Sequence, residues 1–70
     1  MPSERIRAAD LLPADLLEVE PGRFLLVIGL ESDHERQLVR LRFEIGAAMT
    51  FPSDAHVRVD ARAHARSVTV

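Results

Sequence analysis

No cysteine, tryptophan, tyrosine, lysine or asparagine occurs among the 70 residues of this chain. Without cysteine there is no disulfide framework, no thiolate zinc site and no cysteine nucleophile. No apolar run approaches the roughly 18 residues that a membrane span requires. The opening Met1-Pro2-Ser3-Glu4-Arg5 lacks the apolar segment of a secretion signal. A cytoplasmic protein is expected. The three glycines are isolated, so no glycine-rich phosphate cradle is present. Nothing in the chain has the form of a cofactor motif. The expectation is a protein that is not an enzyme and has no cofactor, no metal and no small-molecule substrate.

What is present is the composition of a globular domain, 47% hydrophobic and 29% charged. The length suits one small domain over residues 1–70, with a thin core. All nine basic residues are arginine, against eleven acids, for a formal charge of −2. The charge is uneven. Residues 1–35 hold three arginines and eight acids, and residues 36–70 hold six arginines and three acids. The two halves should attract one another in the fold.

Proline and glycine punctuate the chain at Pro13, Pro21-Gly22, Gly29, Gly46 and Pro52. The stretches between are too short for ordinary helices and read as strands. Extended segments are expected over Arg5–Ala8, Leu16–Glu20, Arg23–Glu31, Arg36–Glu44, Met49–Phe51 and His56–Asp60. A helix over residues 4–12 is the alternative for the first. Residues 62–70 are open: a frayed tail, a helical turn, or an edge strand over Ser67–Val70. Alanine favours strands poorly. A barrel is expected over residues 5–61.

A loop at Ser32-Asp33-His34-Glu35 would pair the two long strands symmetrically. Leu30 would face Gln37, Ile28 would face Val39, Leu26 would face Leu41 and Phe24 would face Phe43. That register buries Phe24, Leu26, Ile28, Val39, Leu41 and Phe43 together with Val57 and Val59. It leaves Leu25, Val27 and Leu38 on the outer face beside Arg40 and Arg42.

The order of segments suggests an all-β fold, a small SH3-like five-stranded barrel or meander with a short or frayed C-terminal segment. The stretch Ile6-Arg7-Ala8-Ala9-Asp10-Leu11-Leu12-Pro13-Ala14-Asp15-Leu16 resembles the A-D-L-x-P-G-D opening of small SH3-like barrel proteins common in actinobacteria and their phages. Phe51-Pro52-Ser53-Asp54-Ala55-His56-Val57-Arg58-Val59 resembles the F-x-x-D-x-x-V-x-V stretch of the same proteins. The order also looks like the N-terminal barrel of elongation factor P over about residues 6–65. That family's modified lysine sits in the first long hairpin loop, where this chain has no lysine.

Two surfaces are candidates for function. Leu25, Val27 and Leu38, with Arg40 and Arg42, form a protein-interface candidate, since three aliphatics on one outward face call for a cover. The cover would be another protein or a second copy of the chain, with edge-strand addition as one mode. Arg36, Arg40, Arg42, Arg58 and Arg62, continued by Arg66, form a basic stripe that could contact nucleic acid. Phe24, Phe43 and Phe51 all fall inward on this register, so that stripe would lack a base-stacking platform. Ser32-Asp33-His34-Glu35 reads as a solvated turn. His34, His56 and His64 show no metal-ligand spacing. The leading expectation is a non-catalytic binding module, accessory or regulatory, acting by protein–protein contact. The alternative is an arginine-dependent nucleic-acid-binding or ribosome-associated barrel.

Overall fold

Strand pairing, not local propensity, decides most of this chain. In the computed structural model, which describes residues 2–69, the strands are β1 (Ser3–Arg7), β2 (Leu16–Glu20), β3 (Arg23–Asp33), β4 (Leu38–Phe43), β5 (Ala48–Pro52) and β6 (His56–Asp60). They form one antiparallel sheet in the order β1-β6-β2-β3-β4-β5, followed by helix α1 (Ala61–Thr69). The fold is therefore strand-dominated, as expected, with six strands instead of five and a helix at its end. The helix considered over residues 4–12 is not formed. That stretch is β1 and a single 3-10 turn, Ala8–Asp10, with Leu11 extended at its end.

The C-terminal alternation of alanine with arginine and histidine is helical. Alanine is the best helix former, and Asp60 supplies the start. Its Oδ1 accepts hydrogen bonds from the backbone N–H of Arg62 at 2.9 Å and of Ala63 at 3.0 Å, which is N-cap geometry. Ala63 is buried on the inward face of α1, while Arg62, Ala65, Arg66 and Val68 are exposed. The edge strand considered over Ser67–Val70 is absent from residues 67–69, and Val70 lies outside the described residues.

Two bends shape the sheet. In β2 the pairing with β3 shifts between Glu18 and Glu20, which places the extra residue at Val19. In β3 the pairing with β4 shifts between Val27 and Gly29. Ile28 and Gly29 together oppose the single Arg42, a β-bulge, and the bulge reverses which side chains of β3 face inward. Beyond it Leu30 pairs with Leu41 and Ser32 with Val39; before it Val27 pairs with Phe43.

The core is Ala8, Leu11, Leu17, Val27, Val39, Leu41, Phe43, Val57 and Val59, with Ile6, Val19, Leu25, Leu30 and Phe51 packed against it. Five of the eight expected core residues, Val39, Leu41, Phe43, Val57 and Val59, are in this set. Phe24 and Leu26 are half-buried, and Ile28 is 52% exposed. The expected hairpin register is thus corrected. The turn is His34-Glu35-Arg36-Gln37, two residues later than the expected loop. Asp33 holds it, its Oδ1 accepting from the Arg36 N–H at 3.2 Å, and Gln37 closes it with a φ of 55°.

The two edge strands, β1 and β5, are not paired with each other. The 3-10 turn that follows β1 nevertheless reaches the β5–β6 connection. Ala8 N–H donates to the Ala55 carbonyl at 2.7 Å and Ala9 N–H to the Ser53 carbonyl at 2.9 Å.

Candidate functional site

The bulge in β3 builds the most distinctive surface of the molecule. An extra residue in one strand cannot share its neighbours' pleat, so its side chain is turned out. Ile28 is that residue, between fully buried Val27 and Gly29. Phe24 and Leu26 lie on the same outer side of β3, opposite in parity to inward Leu25 and Val27, and Leu16 of β2 is the register partner of Leu26. The outer face of β2 and β3 therefore carries a line of aliphatic and aromatic side chains ending in an exposed isoleucine.

Arginines flank that line. Arg42 opposes Ile28 and Gly29, and the Nε/Nη2 edge of its guanidinium is turned toward Gly29. A Cβ at Gly29 would stand only 2.9 Å from Nε and Nη2 of Arg42. The absence of a Cβ at Gly29 leaves the room that the end of Arg42 occupies, and its φ is not positive. Arg40 is the partner of Glu31 on β3 and of Thr50 on β5, and Arg42 is the partner of Ala48. These side chains border a shallow hollow of about 450 Å³ lined by Gly29, Leu30, Glu31, Arg40 and Arg42. A second hollow of about 600 Å³ adjoins it at the hairpin tip, with Arg40 and Glu31 common to both.

The expected interface residues divide. Leu38, Arg40 and Arg42 are on the outer face of β4, with Leu38 half-buried. Val27 is fully buried and Leu25 packs against the core, so neither is available to a partner. The reason is the bulge. The seven residues Phe24–Leu30 are apolar apart from Gly29, and a one-residue offset exchanges the two faces.

The expected basic stripe is also divided. Arg36 sits at the hairpin tip, 3.8 Å from Asp33, and Arg40 and Arg42 lie on β4. Arg58 lies on β6 and Arg62 on α1, separated from β4 by β2 and β3 in the sheet. Arg58 is the direct cross-strand partner of Arg5, a residue the sequence reading did not single out.

A buried polar cluster was also missed. The Asp15 side chain has no exposed surface, and its two carboxylate oxygens each lie 3.1 Å from His64 Nδ1. The Leu12 N–H donates to Asp15 Oδ2 at 2.8 Å. Nearby, the Ser67 hydroxyl reaches two carbonyls, Pro13 at 3.2 Å and Ala63 of its own helix at 3.1 Å, with one proton to share between them. These bonds tie α1 to the turn before β2. His34 and His56 stand on other elements, and among the described residues no three histidine or acidic side chains converge as metal ligands would. No helix among them is long and apolar enough to cross a membrane.

Comparison of the chain with protein-family models, with curated proteins and with solved structures finds no match.

Proposed function

We propose that this chain is a non-catalytic, cytoplasmic protein-binding module whose contact surface is the outer face of β2 and β3 around the bulge. The observation that carries this reading is Ile28. An isoleucine 52% exposed, at the end of a line formed by half-buried Leu16, Phe24 and Leu26, costs a small domain solvation free energy. Covering the exposed half of such a side chain contributes about 1 kcal/mol. We read the sheet as a small SH3-like barrel, closed at one side by the bonds from Ala8 and Ala9 to the β5–β6 connection. That curvature turns the β2–β3 face outward as a convex ridge, suited to a protein partner or to a second copy of the chain.

The test is a comparison of wild type with Ile28→Asp. Sedimentation measures self-association, and selection from a random peptide library measures binding to other partners. The reading requires that one of the two be present in wild type and weaken at least about tenfold in Ile28→Asp. Association unaffected by Ile28→Asp, or none at all, would overturn it.

One observation favours a second reading, arginine-dependent binding of nucleic acid. Arg5 and Arg58 face each other across β1 and β6, and among the described residues neither is within ion-pair distance of a carboxylate. Like charges directly opposite are destabilising unless an anion joins them. Phosphate binding of this kind would fall steeply between about 50 and 200 mM salt, whereas an apolar contact through Ile28 would respond little.

A further inference from the structure

The geometry points to a carboxylate-recognition site at Arg42, whose guanidinium edge abuts Gly29, which reads an acidic side chain in the segment that covers Ile28. The inference rests on the protein-binding reading and names the chemistry of the partner.

Four observations support it. First, Arg42 and Arg40 project from one face of β4, two residues apart, and among the described residues neither guanidinium is within ion-pair distance of a carboxylate. A guanidinium forks onto a carboxylate through two parallel N–H donors, and in Arg42 the Nη1/Nη2 end is the donor pair turned away from Gly29. Second, Arg42 is positioned. Gly29 leaves room for its guanidinium edge, with Nε and Nη2 2.9 Å from the place where a Cβ would be. Any other residue at position 29 would lift it. Third, the hollow of about 450 Å³ opens beside these groups and can admit a side chain. Fourth, the apolar and cationic elements are contiguous, because Ile28 and Gly29 both oppose Arg42.

Charge complementarity selects the ligand. Glu31 is the cross-strand partner of Arg40, and Glu44 follows Phe43 in the turn after β4. Both acids are exposed. Two arginines set between two acids attract one carboxylate placed over the guanidinium. A run of phosphates would instead bring its further negative charges against Glu31 and Glu44. The occupant is therefore an extended protein segment with an aspartate or glutamate next to aliphatic side chains, the aliphatics on Ile28 and the carboxylate on Arg42.

The experiment selects peptides from a random 12-residue library on wild-type protein. Affinities of a selected peptide are then measured for wild type, Arg42→Gln, Gly29→Ala and Ile28→Asp. Circular dichroism and thermal melts accompany each variant. Gly29→Ala keeps every charge and has no φ penalty, and the side chain it displaces is the flexible end of Arg42, so the fold should persist. Selected peptides should carry an acid flanked by aliphatics. Arg42→Gln should weaken binding about tenfold and Gly29→Ala about fivefold. Replacing the peptide acid by glutamine should weaken binding to wild type as much, and change binding to Arg42→Gln little.

Selected peptides without an acid, or an affinity unchanged in both Arg42→Gln and Gly29→Ala, would overturn the proposal. If such peptides still depended on Ile28, the protein-binding reading would stand without it. A library that yields no binder overturns the carboxylate site as well. An oligo-dT probe that binds more tightly than any peptide at about 150 mM salt, through Arg42, would replace the carboxylate by a phosphate and overturn it too.

Discussion

The Asp15 carboxylate is fully buried against His64, 3.1 Å from Nδ1, and so fastens the C-terminal helix to a turn that precedes β2. An ionised carboxylate only accepts hydrogen bonds, so the arrangement has Nδ1–H donating. Leu12 N–H fills a further acceptor site at 2.8 Å, and no buried side-chain polar atom among the described residues is left without a partner. The backbone reinforces the side chains. Asp15 N–H donates to the Leu12 carbonyl at 3.1 Å, and Val27 N–H donates to the Asp15 carbonyl at 2.9 Å. One acidic residue thus connects the 12–15 turn, β3 and α1.

Removing either partner of a buried pair leaves the other uncompensated, which costs more than the pair contributes. Asp15→Ala is expected to destabilise the fold by about 3–5 kcal/mol. His64→Ala should cost about 2–3 kcal/mol, since the Leu12 N–H still serves the carboxylate. The double variant should show a coupling of about 1–3 kcal/mol in urea denaturation. Additive losses would mean that His64 acts through packing alone. Circular dichroism of His64→Ala should also show loss of helix, because Nδ1 then no longer ties α1 to the buried Asp15.

Adjacent positions in β3 should respond in opposite ways. Val27 is 0% exposed and Ile28 is 52% exposed. Val27→Asp buries an unpaired carboxylate and should abolish cooperative folding, since the penalty approaches the whole stability of a small domain. Ile28→Asp should change stability by less than about 1 kcal/mol. Thermal melts of the two variants decide the register of β3. A folded Val27→Asp together with an unfolded Ile28→Asp would place the bulge elsewhere.

These two positions also show where the sequence is readable and where it is not. In β4, Leu38, Arg40 and Arg42 alternate with Val39, Leu41 and Phe43, and polarity alone assigns the faces, as the structure has them. In β6, Val57 and Val59 are fixed inward by the same logic. In β3 the run Phe24-Leu25-Leu26-Val27-Ile28-Gly29-Leu30 is apolar on both faces, so alternation carries no information about parity. The deciding features were a bulge and a turn closed by Gln37 at positive φ, a position where glycine or asparagine is the usual signal. The arginines of the candidate site were legible as residues on β4. Their setting was not, because it depends on which β3 residues stand opposite. Asp15 and His64 are 49 positions apart, and nothing local to either one indicates the other.

The turn before β2 holds strain that a single substitution can relieve. Ala14 has a φ of 76°, in the left-handed region, where a Cβ crowds the following carbonyl at a cost of about 1–2 kcal/mol. The conformation is imposed from both sides. Ala14 N–H donates to the Val27 carbonyl at 2.8 Å, and the next residue is held through its side chain by Leu12 and His64. Gly22, at a φ of 79°, meets the same demand in the β2–β3 turn without a Cβ. Ala14→Gly removes the crowding but gives the unfolded chain more freedom, which offsets about 0.5–1 kcal/mol. Ala14 is exposed, so little burial is lost. The net expectation is a gain of about 0.5–1 kcal/mol in urea denaturation, with an unchanged denaturant slope. Ala14→Pro is the opposing control. It forces φ to about −65° and deletes the N–H that reaches Val27, so it should cost about 3 kcal/mol or more. If Ala14→Gly lowers stability while Ala14→Pro is tolerated, the left-handed turn is wrong, and with it the geometry that brings Asp15 to His64.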